Sequence, residues 1–86
     1  MTVIMVSSSS CSPCRVMKPI FYDIAQEYPA ANVKIMDVDT EEGLSIAKKH
    51  NINTLPSFVI QTESDTEVIH GAVAPAYLRR ILNNKY

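Results

Sequence analysis

Two cysteines separated by two residues are the side chains of this sequence best suited to chemistry. Cys11 and Cys14 enclose Ser12 and Pro13, and the chain contains no other cysteine. A thiolate can attack a disulfide, and a nearby second thiol can then displace the sulfur that was captured. A disulfide scaffold usually spreads more cysteines over distant loops, so a redox pair or a metal pair fits this spacing better.

Zinc binding and a structural disulfide are the alternatives for the cysteine pair. Zinc needs about four ligands, and the separation of His50 from His70, the only histidines, does not match the short spacing of a zinc finger. A disulfide closing so short a loop would contribute little to stability. We therefore expect no metal site and a redox-active pair.

Composition restricts the class of protein further. The chain has 86 residues, of which 47% are hydrophobic, and its formal net charge is -1. This length suits one domain over residues 1–86, and the balanced charge argues against a nucleic-acid partner. Met1 to Val6 is too short for a membrane span and lacks the basic start of a signal peptide, so we expect a cytosolic monomer without membrane contact.

The first half of the chain predicts two strands and two helices. Thr2 to Val6 is an apolar run typical of a buried strand, and the hydroxyl side chains of residues 7–10 could cap a following helix. Apolar residues at helical spacing continue from Cys14 to Tyr28, with Pro19 inside the pattern and Pro29 ending it. The predicted buried stripe consists of Val16, Ile20, Ile24, Met17, Phe21 and Ala25.

The second half predicts one further helix, a hairpin and a last helix. Val33 to Asp39 reads as a strand, and Thr40 can cap a helix whose apolar face is Leu44 and Ala47. The segments 56–61 and 66–70 read as a hairpin, and Pro75 fits the first turn of the last helix. The order βαβαββα gives an α/β fold with a four-stranded mixed sheet and three helices.

Several motifs together resemble the thioredoxin family. Cys11-Ser12-Pro13-Cys14-Arg15 at a helix start, with Pro19 inside the helix, is similar to the active-site segment of thioredoxins. Thr54-Leu55-Pro56-Ser57 resembles the family's cis-proline loop, and His70-Gly71-Ala72 resembles its turn before the last helix. The likeness covers nearly the whole chain but begins at the family's second strand, which implies a shortened three-layer thioredoxin-like fold.

The resemblance and the placement of the cysteines imply their roles. A thiol at a helix N-terminus faces unpaired N–H groups and a partial positive charge, which favour the thiolate. Cys11 is therefore the expected nucleophile and Cys14 the less exposed resolving thiol. A cis bond at Leu55-Pro56 would let a target peptide pair with the loop backbone. The groove implied by the resemblance is lined by Ser12, Pro13, Leu55, Pro56, Gly71 and Ala72.

Other residues are expected to modulate the site or depart from the family pattern. Arg15 would place a positive charge near the thiolate, and His70 would stand at the rim of the groove. Met5 and Ile35 occupy the places where thioredoxins hold a buried aspartate and a lysine. Ser10 replaces the usual tryptophan before the first cysteine.

The resulting functional hypothesis is a thiol-disulfide oxidoreductase that reduces or exchanges protein disulfides. It would bind no cofactor beyond its redox-active disulfide and would receive electrons from NADPH through a reductase. Thioredoxin reductase or the glutathione system would be the donor, and ribonucleotide reductase is one implied target. The alternatives are a glutathione-dependent glutaredoxin, whose paired glycines are missing around Gly71, and a binding module of the same fold with an idle cysteine pair.

Overall fold

The computed structural model describes residues 1–85, and its elements follow the order βαβαββα. The strands are β1 (Thr2–Ser7), β2 (Asn32–Asp37), β3 (Ser57–Gln61) and β4 (Thr66–His70), and the helices are α1 (Ser12–Ala25), α2 (Glu41–Lys49) and α3 (Pro75–Lys85). The fold class and the element order predicted from the sequence are confirmed. No helix within residues 1–85 is long and apolar enough to cross a membrane.

The four strands form one mixed sheet in the order β2-β1-β3-β4. β1 runs parallel to β2 and antiparallel to β3, with Met5 opposite Ile35 and Val6 opposite Ser57. β3 and β4 form the predicted antiparallel hairpin. Because β1 lies between β2 and β3, the loop that follows Ser7 and carries the cysteines emerges next to the end of β2 and the start of β3.

Two apolar clusters separate the molecule into three layers. On one face of the sheet, α1 and α3 pack against Val3, Met5 and Phe58, and the rings of Phe21 and Phe58 lie 5.7 Å apart. On the other face, Ala47 of α2 packs against the remaining side chains of β1 and β3. The alternation of side chains along a strand puts successive residues of β1 into different clusters. The sheet is therefore covered on both faces, as its continuous apolar strands predict.

Helix α1 differs from its prediction at both ends. Its N-cap is Cys11, not one of the preceding serines. The helix ends at Ala25, and Tyr28 lies beyond it in a turn although its side chain is buried. Pro29 disfavours the helical conformation at Tyr28, the residue before it. The N–H groups of Glu27 and Tyr28 bond instead to the carbonyls of Ile24 and Ala25, which forms a tighter turn. The phenol of Tyr28 donates to Oδ1 of Asn83 over 2.5 Å and so fixes this turn against α3.

The predicted buried stripe of α1 is only partly correct. Met17, Phe21 and Ile24 are buried, whereas Val16 is 68% exposed. Val16 lies in the first turns of the helix on a side that is open to solvent. Leu44, predicted as part of the apolar face of α2, is 43% exposed. Helical periodicity gives the direction of a side chain but not the extent of the elements that cover it.

Strand β2 ends two residues earlier than predicted. The backbone N–H of Asp39 donates to Oδ1 of Asp37 over 2.8 Å, and the N–H of Thr40 donates to the Asp37 carbonyl over 3.0 Å. This local bonding by an aspartate replaces strand pairing and turns the chain toward α2. Thr40 then caps α2 as predicted, because its Oγ1 accepts from the N–H of Gly43 over 3.1 Å. The turn places Asp39 beside the serine-rich loop.

Candidate dithiol active site

Cys11 and Cys14 form a disulfide at the N-terminus of α1, with their Cα atoms 5.2 Å apart. Cys11 is the N-cap of the helix, and its Sγ accepts a hydrogen bond from the backbone N–H of Cys14 over 3.2 Å. The first N–H groups of a helix have no partner inside it and carry the positive end of the helix dipole. The sulfur of Cys11 therefore lies where negative charge is stabilised.

Exposure distinguishes the two sulfurs. Cys14 is fully buried in the cluster beneath α1, whereas Cys11 is half-buried at the surface of that cluster. Ser12 and Pro13, between the cysteines, are exposed. Of the two cysteines, Cys11 is the more accessible to a large partner. This is the arrangement predicted from the sequence.

The loop before β3 contains the cis Leu55-Pro56 peptide bond that the resemblance implied. The carbonyl of Pro56 accepts from the N–H of Gly71 over 2.9 Å, and the hydroxyl of Ser57 donates to the carbonyl of Thr54 over 2.5 Å. Leu55 packs against the same cluster as Cys11 and Cys14. The loop is thus fixed at both ends and shares its apolar support with the dithiol.

The turn after β4 joins this loop through backbone contact. Gly71 has a φ of +89°, a left-handed conformation that disfavours other residues, and its N–H makes the bond to Pro56. Ala72 follows it and is exposed. The structure therefore brings together the proline loop and the glycine turn. The substrate-binding roles of these residues stay predictions.

Arg15 and His70, the expected modulators, are both exposed. Within residues 1–85, neither side chain makes a hydrogen bond or an ion pair. His70 ends β4, where its backbone lies opposite Ser57. Their influence on the thiolate also stays a prediction.

The serine-rich loop before Cys11 is held by polar contacts that the sequence analysis did not identify. The hydroxyl of Ser9 donates to the carboxylate of Asp39 over 2.8 Å, and the N–H of Cys11 donates to the carbonyl of Ser8 over 3.3 Å. The hydrogen bond from Ser9 is the main cause that lowers the pKa of Asp39 below its ordinary value. The residues are thirty positions apart, so only the parallel pairing of β1 with β2 could have indicated their contact.

Met5 and Ile35 lie directly opposite each other on adjacent strands. Met5 is fully buried, and both residues belong to the cluster that contains Cys14. Cys14 therefore belongs to an apolar cluster to which β1 and β2 both contribute. Within residues 1–85, no group of three or more His, Cys, Asp or Glu side chains is placed to hold a metal ion.

Comparison with known proteins gives a consistent result. The family model described as Thioredoxin matches residues 1–84. The chain is 32% identical over 74 residues to Thioredoxin 1 of Synechococcus elongatus, covering 85% of this chain and 68% of that protein. It is 34% identical over 80 residues to an H-type thioredoxin of Fagopyrum esculentum, covering 92% and 67%.

Solved structures include a similar fold in the same redox state. The oxidized form of mitochondrial thioredoxin 3 from Saccharomyces cerevisiae superposes with a TM-score of 0.83 and 30% sequence identity. The match covers 96% of this chain and 76% of the yeast protein.

Proposed function

Because this chain belongs to the thioredoxin family and is a thiol-disulfide oxidoreductase, we propose that it reduces disulfides of partner proteins, with Cys11 attacking and Cys14 resolving. The observation that carries the proposal is the position of the half-buried Cys11 at the N-cap of α1. The second sulfur is fully buried one turn inside the helix. This difference in exposure supports the proposed division of roles between the two cysteines.

In the first step, the thiolate of Cys11 attacks one sulfur of the partner's disulfide. A bond forms between that sulfur and Sγ of Cys11, and the partner's second sulfur leaves as a thiolate that takes up a proton. The N–H of Cys14 supports the attacking sulfur, since it already donates to Sγ of Cys11 in the oxidised protein. The helix N-terminus lowers the cost of forming the anion.

In the second step, Cys14 gives up its proton and attacks Sγ of Cys11. The Cys11–Cys14 disulfide forms, the bond to the partner breaks, and the partner's remaining sulfur leaves and is protonated. The partner has gained two electrons and two protons. The short separation of the cysteines, with Cα atoms 5.2 Å apart, allows this step without rearrangement of the helix.

The proposed target surface is the backbone of Leu55 beside the dithiol. Within residues 1–85, neither the N–H nor the carbonyl of Leu55 has a hydrogen bond. An extended target peptide could pair with these groups while its cysteine reaches Cys11. The exposed Ser12, Pro13 and Ala72 would lie against the peptide.

The proposed electron source is NADPH through thioredoxin reductase, with glutathione as the competing donor. Proteins with accessible disulfides, such as ribonucleotide reductase, are the proposed targets. The cytosol is the proposed location, because thiols are kept reduced there and a reducing cycle can be sustained.

A donor comparison tests this proposal. The oxidised protein is offered either thioredoxin reductase with NADPH, or glutathione with glutathione reductase and NADPH, in the presence of insulin as a disulfide substrate. We expect reduction of insulin and consumption of NADPH in the first arm at a rate well above the second. Faster turnover with glutathione would favour a glutaredoxin. Failure to reduce insulin even with dithiothreitol as donor would overturn the proposed activity.

A further inference from the structure

The peptide unit between Thr54 and Leu55 carries the backbone N–H that directly precedes the cis proline. Its carbonyl belongs to Thr54 and its N–H to Leu55, and the unit is trans, because Leu55-Pro56 is the one cis bond within residues 1–85. The next peptide unit has no N–H, since proline lacks one. The direction of the Leu55 N–H is therefore fixed by the direction of the Thr54 carbonyl, because the peptide plane is rigid.

Ser57 determines the direction of that carbonyl. Its hydroxyl donates to the oxygen of Thr54 over 2.5 Å, a short distance within the normal range for such a bond. Ser57 is fully buried in the first position of β3, with Val6 and His70 opposite it on the flanking strands. Because the strands on both sides hold the backbone of Ser57, the position of its hydroxyl is well defined.

The contact points the N–H of Leu55 away from the sheet. In a trans unit the N–H is opposite the carbonyl, so a carbonyl bonded to buried Ser57 directs the N–H outward. Hydrogen bonding to the carbonyl also polarises the peptide unit and strengthens its N–H as a donor. The bond from Gly71 to the carbonyl of Pro56 fixes the other side of the loop and does not involve this peptide unit.

We propose that Ser57 is a positioning residue for disulfide reduction: it fixes the Thr54-Leu55 peptide so that the N–H of Leu55 binds a backbone carbonyl of the target next to its reacting cysteine. The inference rests on the proposed function and deepens it. It implies that substrates with an extended backbone around the disulfide depend on Ser57. Small disulfides without a peptide backbone depend on it much less.

The test compares two oxidants of the reduced protein in single-turnover experiments. Pre-reduced, desalted protein is mixed with excess of either a disulfide-linked peptide or the small aromatic disulfide 5,5′-dithiobis(2-nitrobenzoate), and loss of its free thiols is followed. The measured quantity is the ratio of the second-order rate constants, peptide over small disulfide. Loss of one aligned hydrogen bond in Ser57→Ala lowers this ratio about five- to tenfold.

Two further variants separate positioning from packing. Ser57→Thr retains the hydroxyl and is expected to restore the ratio to within about twofold, whereas Ser57→Val has a similar shape without the hydroxyl and should lower the ratio as Ser57→Ala does. The matched control is Ser7→Ala on the neighbouring strand. Ser7 is equally buried, but its Oγ has no hydrogen-bond partner within residues 1–85, so its removal should not change the ratio.

The outcomes are distinct from a failure of the proposed function. If neither disulfide oxidises the free thiols of the reduced wild type, the proposed function itself is wrong. If the wild type reacts with both disulfides and the folded Ser57→Ala retains its ratio, only the positioning role is overturned. An equal fall in Ser7→Ala would overturn it as well. If Ser57→Ala does not fold, the comparison of Ser57→Thr with Ser57→Val decides the question by the same ratio.

Discussion

The N–H of the buried Cys14 donates directly to the sulfur of the half-exposed Cys11 over 3.2 Å. The two cysteines are therefore linked both by their disulfide and by a helix-capping contact. A thiolate is a better acceptor than a disulfide sulfur, so we expect reduction to strengthen this capping contact. It provides a geometric reason for unequal roles of two chemically identical side chains.

Unequal roles predict different failures of the two cysteine variants. Cys11→Ser removes the attacking sulfur, so reduction of a protein disulfide should be lost. Cys14→Ser can still attack but cannot resolve, so mixed disulfides with targets should accumulate as slower bands on a non-reducing gel. Dithiothreitol should remove these bands. Activity equal to wild type in both variants would contradict the mechanism.

The contact between Ser9 and Asp39 predicts a measurable change in ionisation. The hydroxyl of Ser9 holds the pKa of Asp39 below its ordinary value. Ser9→Ala should therefore raise that pKa toward the ordinary range, as followed by a carbon-detected NMR titration of the side-chain carboxyl. Ser45→Ala, at an exposed position of α2, serves as the control and should leave the pKa of Asp39 unchanged.

The same shift has a defined sign for stability. A carboxyl whose pKa is lower in the folded state favours folding above its unfolded pKa, and this contribution is lost as the pH falls through the folded pKa. Ser9→Ala should reduce that contribution, so its stability should depend less on pH than the wild type in the acidic range. An unchanged pKa of Asp39 in Ser9→Ala would show that the hydrogen bond is not its cause.

Gly43 permits the close approach of α2 to the end of β2. A β-carbon at this position would lie 3.0 Å from the backbone nitrogen of Asp37 and would overlap its carbonyl group. Gly43→Ala should cost about 1–3 kcal/mol in the free energy of unfolding, as expected for overpacking, and more than the helix propensity it gains. Urea denaturation measures the change.

Ser45→Ala, two residues along the same helix, is the matched control for this substitution. It is exposed and should change stability by less than about 0.5 kcal/mol. A Gly43→Ala variant as stable as this control would mean that α2 can move away from Asp37 without loss. The turn that holds Asp39 beside Ser9 would then be less rigid than its hydrogen bonds indicate.

Local signals in the sequence were sufficient for the order of the elements and for the centre of the site. The resemblance of the segments around Pro56 and Gly71 to thioredoxin motifs located the proline loop and the glycine turn before the fold was known. The cysteines at a helix start follow from the apolar spacing behind them. These features depend on residues that are close together in the chain.

Contacts between distant segments were not accessible in this way. Four successive serines offer equivalent caps, and which residue caps α1 depends on the path of the loop after β1. The exposure of Val16 depends on the extent of the surrounding elements, and the contact of Ser9 with Asp39 depends on the strand register. Sequence periodicity contains none of this information.

The apolar pair Met5 and Ile35 leads to a prediction about charge in the core. Met5→Asp would put a carboxyl into the fully buried cluster that contains Cys14. Burial disfavours its ionised form, so the variant should be about 3–5 kcal/mol less stable than the wild type at neutral pH. An acid with a raised folded pKa loses stability as the pH rises above its unfolded pKa, near 4, and the loss levels off above the folded pKa.

Urea unfolding of the oxidised protein at pH 4 and pH 8 measures this loss, with Met5→Asn as the control of similar size that does not ionise. Met5→Asn should be destabilised equally at both pH values. Adding Ile35→Lys to Met5→Asp should recover part of the loss at pH 8, because the two positions are directly opposite and the new charges would pair. A Met5→Asp variant with the same pH dependence as Met5→Asn would mean that water reaches this cluster, and the apolar environment assigned to Cys14 would be wrong.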